Sequence, residues 1–378
     1  MISLLNTARR QAASGGGGGG ILPFSIIIDT SKAAGDTFTL PINNDAAQDG
    51  EIDWGDSSTS DLSYANRTHT YASGGVYTIS ISGDVLKGFY FNNGGDKLKM
   101  IEVVSWGHMN LTSPSRAFFG CSNMLDVSAT DYPTITASDV SYMFYNCSSL
   151  RTLDTSAWDM SSVTTYQSTL RNCPALVSGL EGFVTSTATN LHTCFFDTDY
   201  KGDLSSWDVS GVTGWNETFK GANTFNANMT GWAVQGNMSN SRLFDSNSTI
   251  TGIGLDTWDV SNLTHFKAYN CANLNPDITG WTTPSLLAVR WQSCGSFDRS
   301  MANWDINQVT DFANFLLGAG ISTANYDATL IAWDAQGTMA FSGTVNFGSS
   351  QYTSDGAADA ARTSLISKWG GITDGGAA

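Results

Sequence analysis

Four aspartates, Asp159, Asp208, Asp259 and Asp305, each follow a tryptophan, and their recurrence makes them the most regular set of reactive side chains in the sequence. Carboxylates in register form a ladder that can gather cations or polarise a sugar. Cleavage of a glycosidic bond asks for more, namely two carboxyl groups facing each other across the bond. The glutamates, Glu51, Glu102, Glu181 and Glu217, fall outside the register. A residue repeated at one phase is read as structural, here as the cap of the turn after each tryptophan. The histidines, His69, His108, His192 and His265, form no pair at metal-ligand spacing. No HExxH, CxxC, Gly-x-Ser-x-Gly or phosphate-loop motif occurs. The expectation is therefore a non-enzymatic protein with no catalytic residue, no cofactor and no dedicated metal site.

Binding chemistry is better represented. Tyr166, Trp215 and Trp291 lie off the Trp-Asp phase and are the candidates for exposed aromatics that stack on sugars or on a protein partner. Five of the six cysteines occupy a position that elsewhere holds Ala, Ser or Thr, so they are read as reduced thiols serving as small apolar residues. Cys194 is the exception.

What must position these groups is a repeat. The stretch from Leu204 to Phe225, LSSWDVSGVTGWNETFKGANTF, is rewritten along the chain. Its small-residue slot falls at Cys121, Cys147, Cys173, Thr198, Ala222, Ser246, Cys271, Cys294 and Ala319, 23 to 26 residues apart. An aromatic or Leu stands three residues before each slot, with a lapse at Ala268. A second landmark runs in step through Trp106, Trp158, Trp207, Trp232, Trp258, Trp281, Trp304 and Trp333, with Tyr132 and Phe183 in the gaps. One such unit cannot bury its own apolar face, so self-similarity at this period predicts stacked coils.

The best copies, Leu153 to Cys173, Leu204 to Ala222 and Leu255 to Cys271, carry Trp-Asp, then Val-Ser-x-Val-Thr or a close variant, then the small slot. This pattern resembles the BspA-like leucine-rich repeats of bacterial surface proteins and Mycoplasma lipoproteins. Thr282 to Leu287 and Gly179 to Thr193 are degenerate copies. The resemblance implies a solenoid that serves as an adhesive scaffold.

Upstream the pattern changes. Phe38, Leu40 and Ile42 alternate with polar residues, as do Tyr77, Ile79 and Ile81, and both runs read as half-buried strands. Trp54-Gly55-Asp56, His69-Thr70-Tyr71, Gly74-Gly75 and Val76-Tyr77-Thr78-Ile79 together resemble a PKD-type β-sandwich domain. Asp53 and Asp56 are calcium candidates there, although Asp56 is read as bonding its own turn. At the other end, Ser322 is expected to cap a helix through Trp333. Ser354-Asp355 is expected to cap another from Ala357 to Lys368, burying Ala361, Leu365 and Trp369 and ending at Gly370-Gly371.

The fold expected is mainly β: a PKD-like β-sandwich, then a leucine-rich-repeat-like solenoid of about nine units of ~25 residues, then a short helical cap. The domains are 1–20, an N-terminal arm and glycine linker; 21–85, the sandwich; 86–335, the solenoid; and 336–378, the cap. Leu4, Leu5, Arg9 and Arg10 are the anchoring residues of the arm, ahead of six glycines at 15–20.

A net charge of −16 disfavours nucleic acid, which needs a basic face. No apolar run reaches the ~20 residues of a membrane span. Residues 1–20 lack a hydrophobic secretion region, so the chain is expected either to stay where it is made or to leave by a route needing no signal, of which assembly into a virus particle inside a host cell is one. The function expected is that of a virion structural protein, a phage tail fibre or receptor-binding adhesin. It would be held to other virion proteins by its arm, with homo-oligomerisation open, and would contact a host-surface glycan or protein through the solenoid. The alternatives are a capsid decoration protein, a bacterial surface adhesin and a polysaccharide-degrading tailspike.

Overall fold

The computed structural model describes residues 22–44, 49–83, 88–107, 109–111, 113–183, 186–237, 242–337 and 339–378. Leu4, Leu5, Arg9, Arg10 and His108 lie outside them. The chain is mainly β, and it divides into two compact units, Met1–Thr187 and Ala188–Ala378.

The first unit opens with β1 (Phe24–Asp29), β2 (Thr37–Thr39), β3 (Gly50–Asp53), β4 (Thr59–Asp61), β5 (Thr68–Thr70) and β6 (Val76–Gly83). The FSIIID run of β1 is buried at every position, as a strand covered on both faces must be. It pairs antiparallel with β6 from Phe24↔Ile81 to Asp29↔Val76, while β2 and β5 pair separately. Phe38, Leu40, Ile42, Ile79 and Ile81 are buried, as their alternation predicts.

The expected domain boundary at 85/86 is crossed by hydrogen bonds. The free edge of β1 pairs antiparallel with β7 (Met100–Ser105), and β7 begins the repeats. After β8 (Asn110–Leu111), β9 (Asp126–Val127) and β11 (Thr152–Leu153) extend this sheet in parallel, to the order β11-β9-β7-β1-β6-β3-β4. A parallel two-residue pair, β10 (Thr134–Ile135) with β8, runs beside it. An unpaired edge on so apolar a strand as β1 would invite aggregation, and the first coil covers it.

Within this unit the repeats stack by backbone hydrogen bonds from each coil to the next, the acceptor standing one position before the donor's equivalent. Phe118 N donates to Met143 O at 2.8 Å, and Phe144 N donates to Thr169 O at 2.9 Å. Each aromatic-to-slot segment forms i→i+3 turns; Cys147 N, for example, donates to Phe144 O at 3.1 Å. The Phe118 and Phe144 rings stack with centroids 5.4 Å apart. Tyr132 departs from the landmark series, being 57% exposed. Trp106 meets Trp158 directly, edge to face at 5.3 Å, across the coil where Tyr132 was expected inside.

The second unit repeats this construction. Phe195, Phe219 and Phe244 stack at 5.6 and 5.5 Å. Its strands are β12 (Ala233–Asn237), β13 (Phe244–Asp245), β14 (Asp259–Tyr269) and β15 (Ala288–Gln292), with β14 pairing in parallel with the other three. The lapse at Ala268 lies in β14, where a regular strand replaces the turn and Phe266 supplies the inward ring. Two α-helices close the unit among the described residues: α1 (Thr323–Asp334) and α2 (Ala357–Trp369). β16 (Gly343–Asn346) and β17 (Gly370–Thr373) pair beside them.

Ser322 stands at the α1 N-cap without a side-chain bond. Gly356, rather than Ser354 or Asp355, caps α2, again without one. Gly370 ends α2 in the left-handed conformation, and Ala361, Leu365 and Trp369 are buried as expected.

Candidate functional site

The coils kink at two fixed places. In the first unit, Arg116, Tyr142 and Ser168, five residues before their slots, have φ of 63°, 60° and 54°. Gly120, Asn146 and Asn172, one residue before, have φ of 85°, 60° and 57°. Gly and Asn adopt this left-handed region readily, whereas a bulky side chain is strained there by roughly 1–2 kcal/mol. Arg116 and Tyr142 hold it because the inter-coil hydrogen bonds on either side fix the backbone: Arg116 N donates to Ser141 O and Tyr142 N to Gln167 O. The kinks break the in-and-out alternation, leaving positions 142, 145 and 146 half-exposed between buried Met143, Phe144 and Cys147.

On this face three half-exposed rings meet. Phe119 stacks on Tyr145 at 4.7 Å and 17°, and Tyr142 lies 5.8 Å from Tyr145 and 6.3 Å from Phe119. Two arginines flank them. The Arg116 guanidinium carbon stands 5.0 Å from the centre of the Tyr142 ring, and that of Arg171 stands 5.5 Å from Tyr145. Gln167 Nε2 donates to the Tyr142 hydroxyl at 3.1 Å, and Asn172 Nδ2 donates to Asn146 Oδ1 at 2.7 Å.

The charges on this surface are unevenly matched. Arg151, the other arginine of these coils, pairs with Asp126 at 2.9 Å. Exposed Arg116 forms no ion pair among the described residues. In the second unit, by contrast, Lys220 pairs with Glu217 at 2.6 Å, and Arg290 and Lys267 share Asp311 at 3.3 and 3.9 Å. An exposed, unneutralised guanidinium beside aromatic faces is a place for an anion attached to something flat.

The three aromatics expected at the surface are buried. Tyr166 packs 5.7 Å from Phe183. Trp215 donates its Nε1 to Val212 O at 3.0 Å. Trp291 stacks on Phe297 at 4.1 Å. Tyr166 and Trp215 stand seven residues before their slots, the phase of buried Val140 and Leu191, and Trp291 occupies the inward aromatic position itself. Being out of phase with Trp-Asp did not mean facing out. The signal for Phe119 and Tyr145 was their common place two residues before a slot, immediately after an inward phenylalanine.

The repeated aspartates close turns. Asp159, Asp208 and Asp259 each accept the amide of the serine two residues on at 3.0 Å, and Asp305 accepts that of Asn307 at 3.0 Å. A second series does the same, with Asp154, Asp203 and Asp277 accepting from Ser156, Ser205 and Thr279. Those serines hold the carboxyls below their usual range, first through the hydroxyl at Asp159 and Asp208 and first through the amide at Asp203 and Asp259.

Of the calcium candidates, Asp53 accepts from Gly55 N at 2.9 Å. Asp56 accepts from Ser58 N at 3.1 Å and contacts His69 Nε2 at 2.8 Å. No cluster of three or more His, Cys, Asp or Glu suited to a metal occurs among the described residues.

All six cysteines are free and buried. Burial pushes the Cys121 and Cys147 thiols well up and that of Cys173 to about 12. A cavity of about 620 Å³ in the second unit is lined by glycines with Asn346, Ser349 and Thr373 and offers no titratable side chain.

Residues 89–200, 138–252 and 237–350 each match a family described as "Mycoplasma protein of unknown function, DUF285", and together they span more than half of the chain. The chain belongs to this family. The tandem matches are consistent with BspA-like repeats, and the first DUF285 segment contains Arg116, Phe119, Tyr142, Tyr145 and Arg171. No curated protein and no solved structure matches the chain. Among the described residues no helix is long and apolar enough to cross a membrane.

Proposed function

We propose that this DUF285 protein is a non-enzymatic adhesin whose stacked coils form a solenoid presenting the Phe119–Tyr142–Tyr145 platform to a cell-surface glycan or protein. The observation that carries this reading is the platform itself: three half-exposed rings in mutual contact, flanked by Arg116 and Arg171. Parallel pairing of equivalent residues about 25 apart within each unit supports the solenoid. Residues 22–83 are read as a PKD-like sandwich, supported by the Asp56–Ser58 turn and by Tyr71 Oη donating to Trp54 O at 3.0 Å.

We place the protein on a virion surface, as a tail fibre or receptor-binding protein, on the order of arm, PKD-like domain and repeats. The family match favours a second placement, on a bacterial cell surface. Fluorescent full-length protein incubated with intact cells tests adhesion. Tyr145→Ala should lose staining while keeping its melting temperature, and undiminished staining would reject the platform. Deleting residues 1–20 tests the placement: loss of incorporation into particles supports the virion, and full incorporation removes the arm as anchor.

A further inference from the structure

We propose that the platform recognises a hexuronic acid within an otherwise neutral glycan, a ligand class that rests on the adhesin reading above. The argument begins with what lies together. Phe119 stacks face to face on Tyr145, so the three rings, within 4.7–6.3 Å of one another, offer their edges as an apolar strip across which a pyranose can lie, and a guanidinium stands within 5.0 or 5.5 Å of Tyr142 and Tyr145. A ligand matching both features carries its charge on the ring that lies there. A hexuronic acid does so, because its carboxylate lies in the ring plane and leaves the faces clear for tyrosine. Guanidinium and carboxylate form a planar, two-pronged match.

The spacing fits a short oligosaccharide. Arg116 and Arg171 belong to coils two steps apart, about 10 Å at a strand spacing of ~4.8 Å, comparable with the reach of a disaccharide. The chain's own charge argues for sparse ligand charge. At −16 it repels a dense polyanion, whereas one carboxylate among neutral sugars meets the local arginines.

The backbone adds an independent observation. Arg116 and Tyr142 occupy left-handed positions where Asn or Gly would be relaxed. The corresponding residue of the next coil is the small Ser168. The same position is left-handed at Thr193 and Glu217 in the second unit, so the kink belongs to the repeat, and what distinguishes this face is that an arginine and a tyrosine occupy it in adjacent coils.

Isothermal titration of the full-length chain with cellobiouronic acid and with cellobiose tests the proposal. The acid is expected to bind roughly tenfold more tightly, as a charge-assisted contact gives. Arg116→Gln should erase that preference, and Tyr145→Ala should weaken both sugars. Melting temperatures of both variants should stay near that of the parent.

Equal binding of the two sugars, lost in Tyr145→Ala, overturns the uronic acid while leaving the platform. Tighter binding of 3′-sialyllactose or of glycerol phosphate likewise overturns it. Binding unchanged in both variants overturns the site. If no saccharide binds although the protein still stains cells, the ligand class fails and the adhesin reading stands.

Discussion

The indole Nε1 of Trp281 donates to the carbonyl of Leu255 at 2.8 Å, one coil back and three residues before the preceding landmark tryptophan. The relation recurs in the second unit: Trp232 to Leu204 and Trp258 to Met229, both at 2.9 Å. Trp333 does the same to Met301 at 2.9 Å. In these four coils of the second unit the repeated tryptophan is a core residue whose hydrogen bond sets the register of neighbouring coils.

Trp304 breaks the series. It stacks on Trp281 at 6.0 Å, but its buried Nε1 has no partner among the described residues. Trp281→Phe and Trp304→Phe lose similar volume, and only the first loses a hydrogen bond. Urea unfolding should find Trp281→Phe the more destabilising by about 0.5–1.5 kcal/mol. Equal losses would show that the indole bond adds nothing to packing.

The cysteine slot should tolerate Ala and resist Leu. Cys147 Sγ contacts Phe118 O at 3.2 Å, and that carbonyl also accepts Cys121 N at 3.0 Å. Cys147→Ala leaves the carbonyl bonded and should cost about 1 kcal/mol or less, while Cys147→Leu should cost roughly 1–3 kcal/mol through overpacking. Native protein should react slowly with a thiol reagent, and denatured protein should show six free thiols. Disulfides between successive slots would contradict this reading.

Stability should fall in acid. The Asp154, Asp203, Asp208, Asp259 and Asp277 carboxyls lie below their ordinary range because a hydroxyl and an amide two residues on favour the charged form. Depressed folded values contribute stability that is present above the unfolded value of about 4 and is lost as pH drops through the folded values. Melting temperature should be level from pH 7 to 5 and decline below about pH 4. In Asp208→Asn the decline should be smaller with the turn intact, because Asn228 already plays this part for Thr230 N at 3.1 Å. A profile flat to pH 3 would remove these carboxylates from the account.

Arg116→Asn separates stability from binding. Asn relieves the left-handed strain at φ 63° and removes the guanidinium. Chemical denaturation should show a gain of about 0.5–1 kcal/mol, while adhesion falls. Reduced stability would mean that the contact with Tyr142 outweighs the strain.

The period of the repeat, the inward phenylalanines and tryptophans and the small slot were legible because they obey one phase over many copies, and both helices because Ser322, the spacing of Ala361, Leu365 and Trp369 and the Gly370 stop are local signals. Tyr132 shared that phase and still lies exposed, since whether a degenerate coil admits its ring depends on how Trp106 and Trp158 meet. The platform was not legible. The outward direction of Tyr145 follows from two left-handed kinks; Asn146 favours one locally, but the other, at Tyr142, is fixed by hydrogen bonds to the next coil rather than by local propensity. Pairing of β1 with β7 was hidden for a related reason: it joins segments that the sequence pattern separates.

Hydroxyl-radical footprinting tests the central claim most directly, using full-length protein with and without glycan released from cells that it stains. Tyr142, Tyr145 and Phe119 should be protected from oxidation when the glycan is present, and Tyr132, 57% exposed in the same unit, should be oxidised equally in both samples. Protection elsewhere, with Tyr142 and Tyr145 oxidised as in the free protein, would contradict the assignment of this platform as the adhesive face.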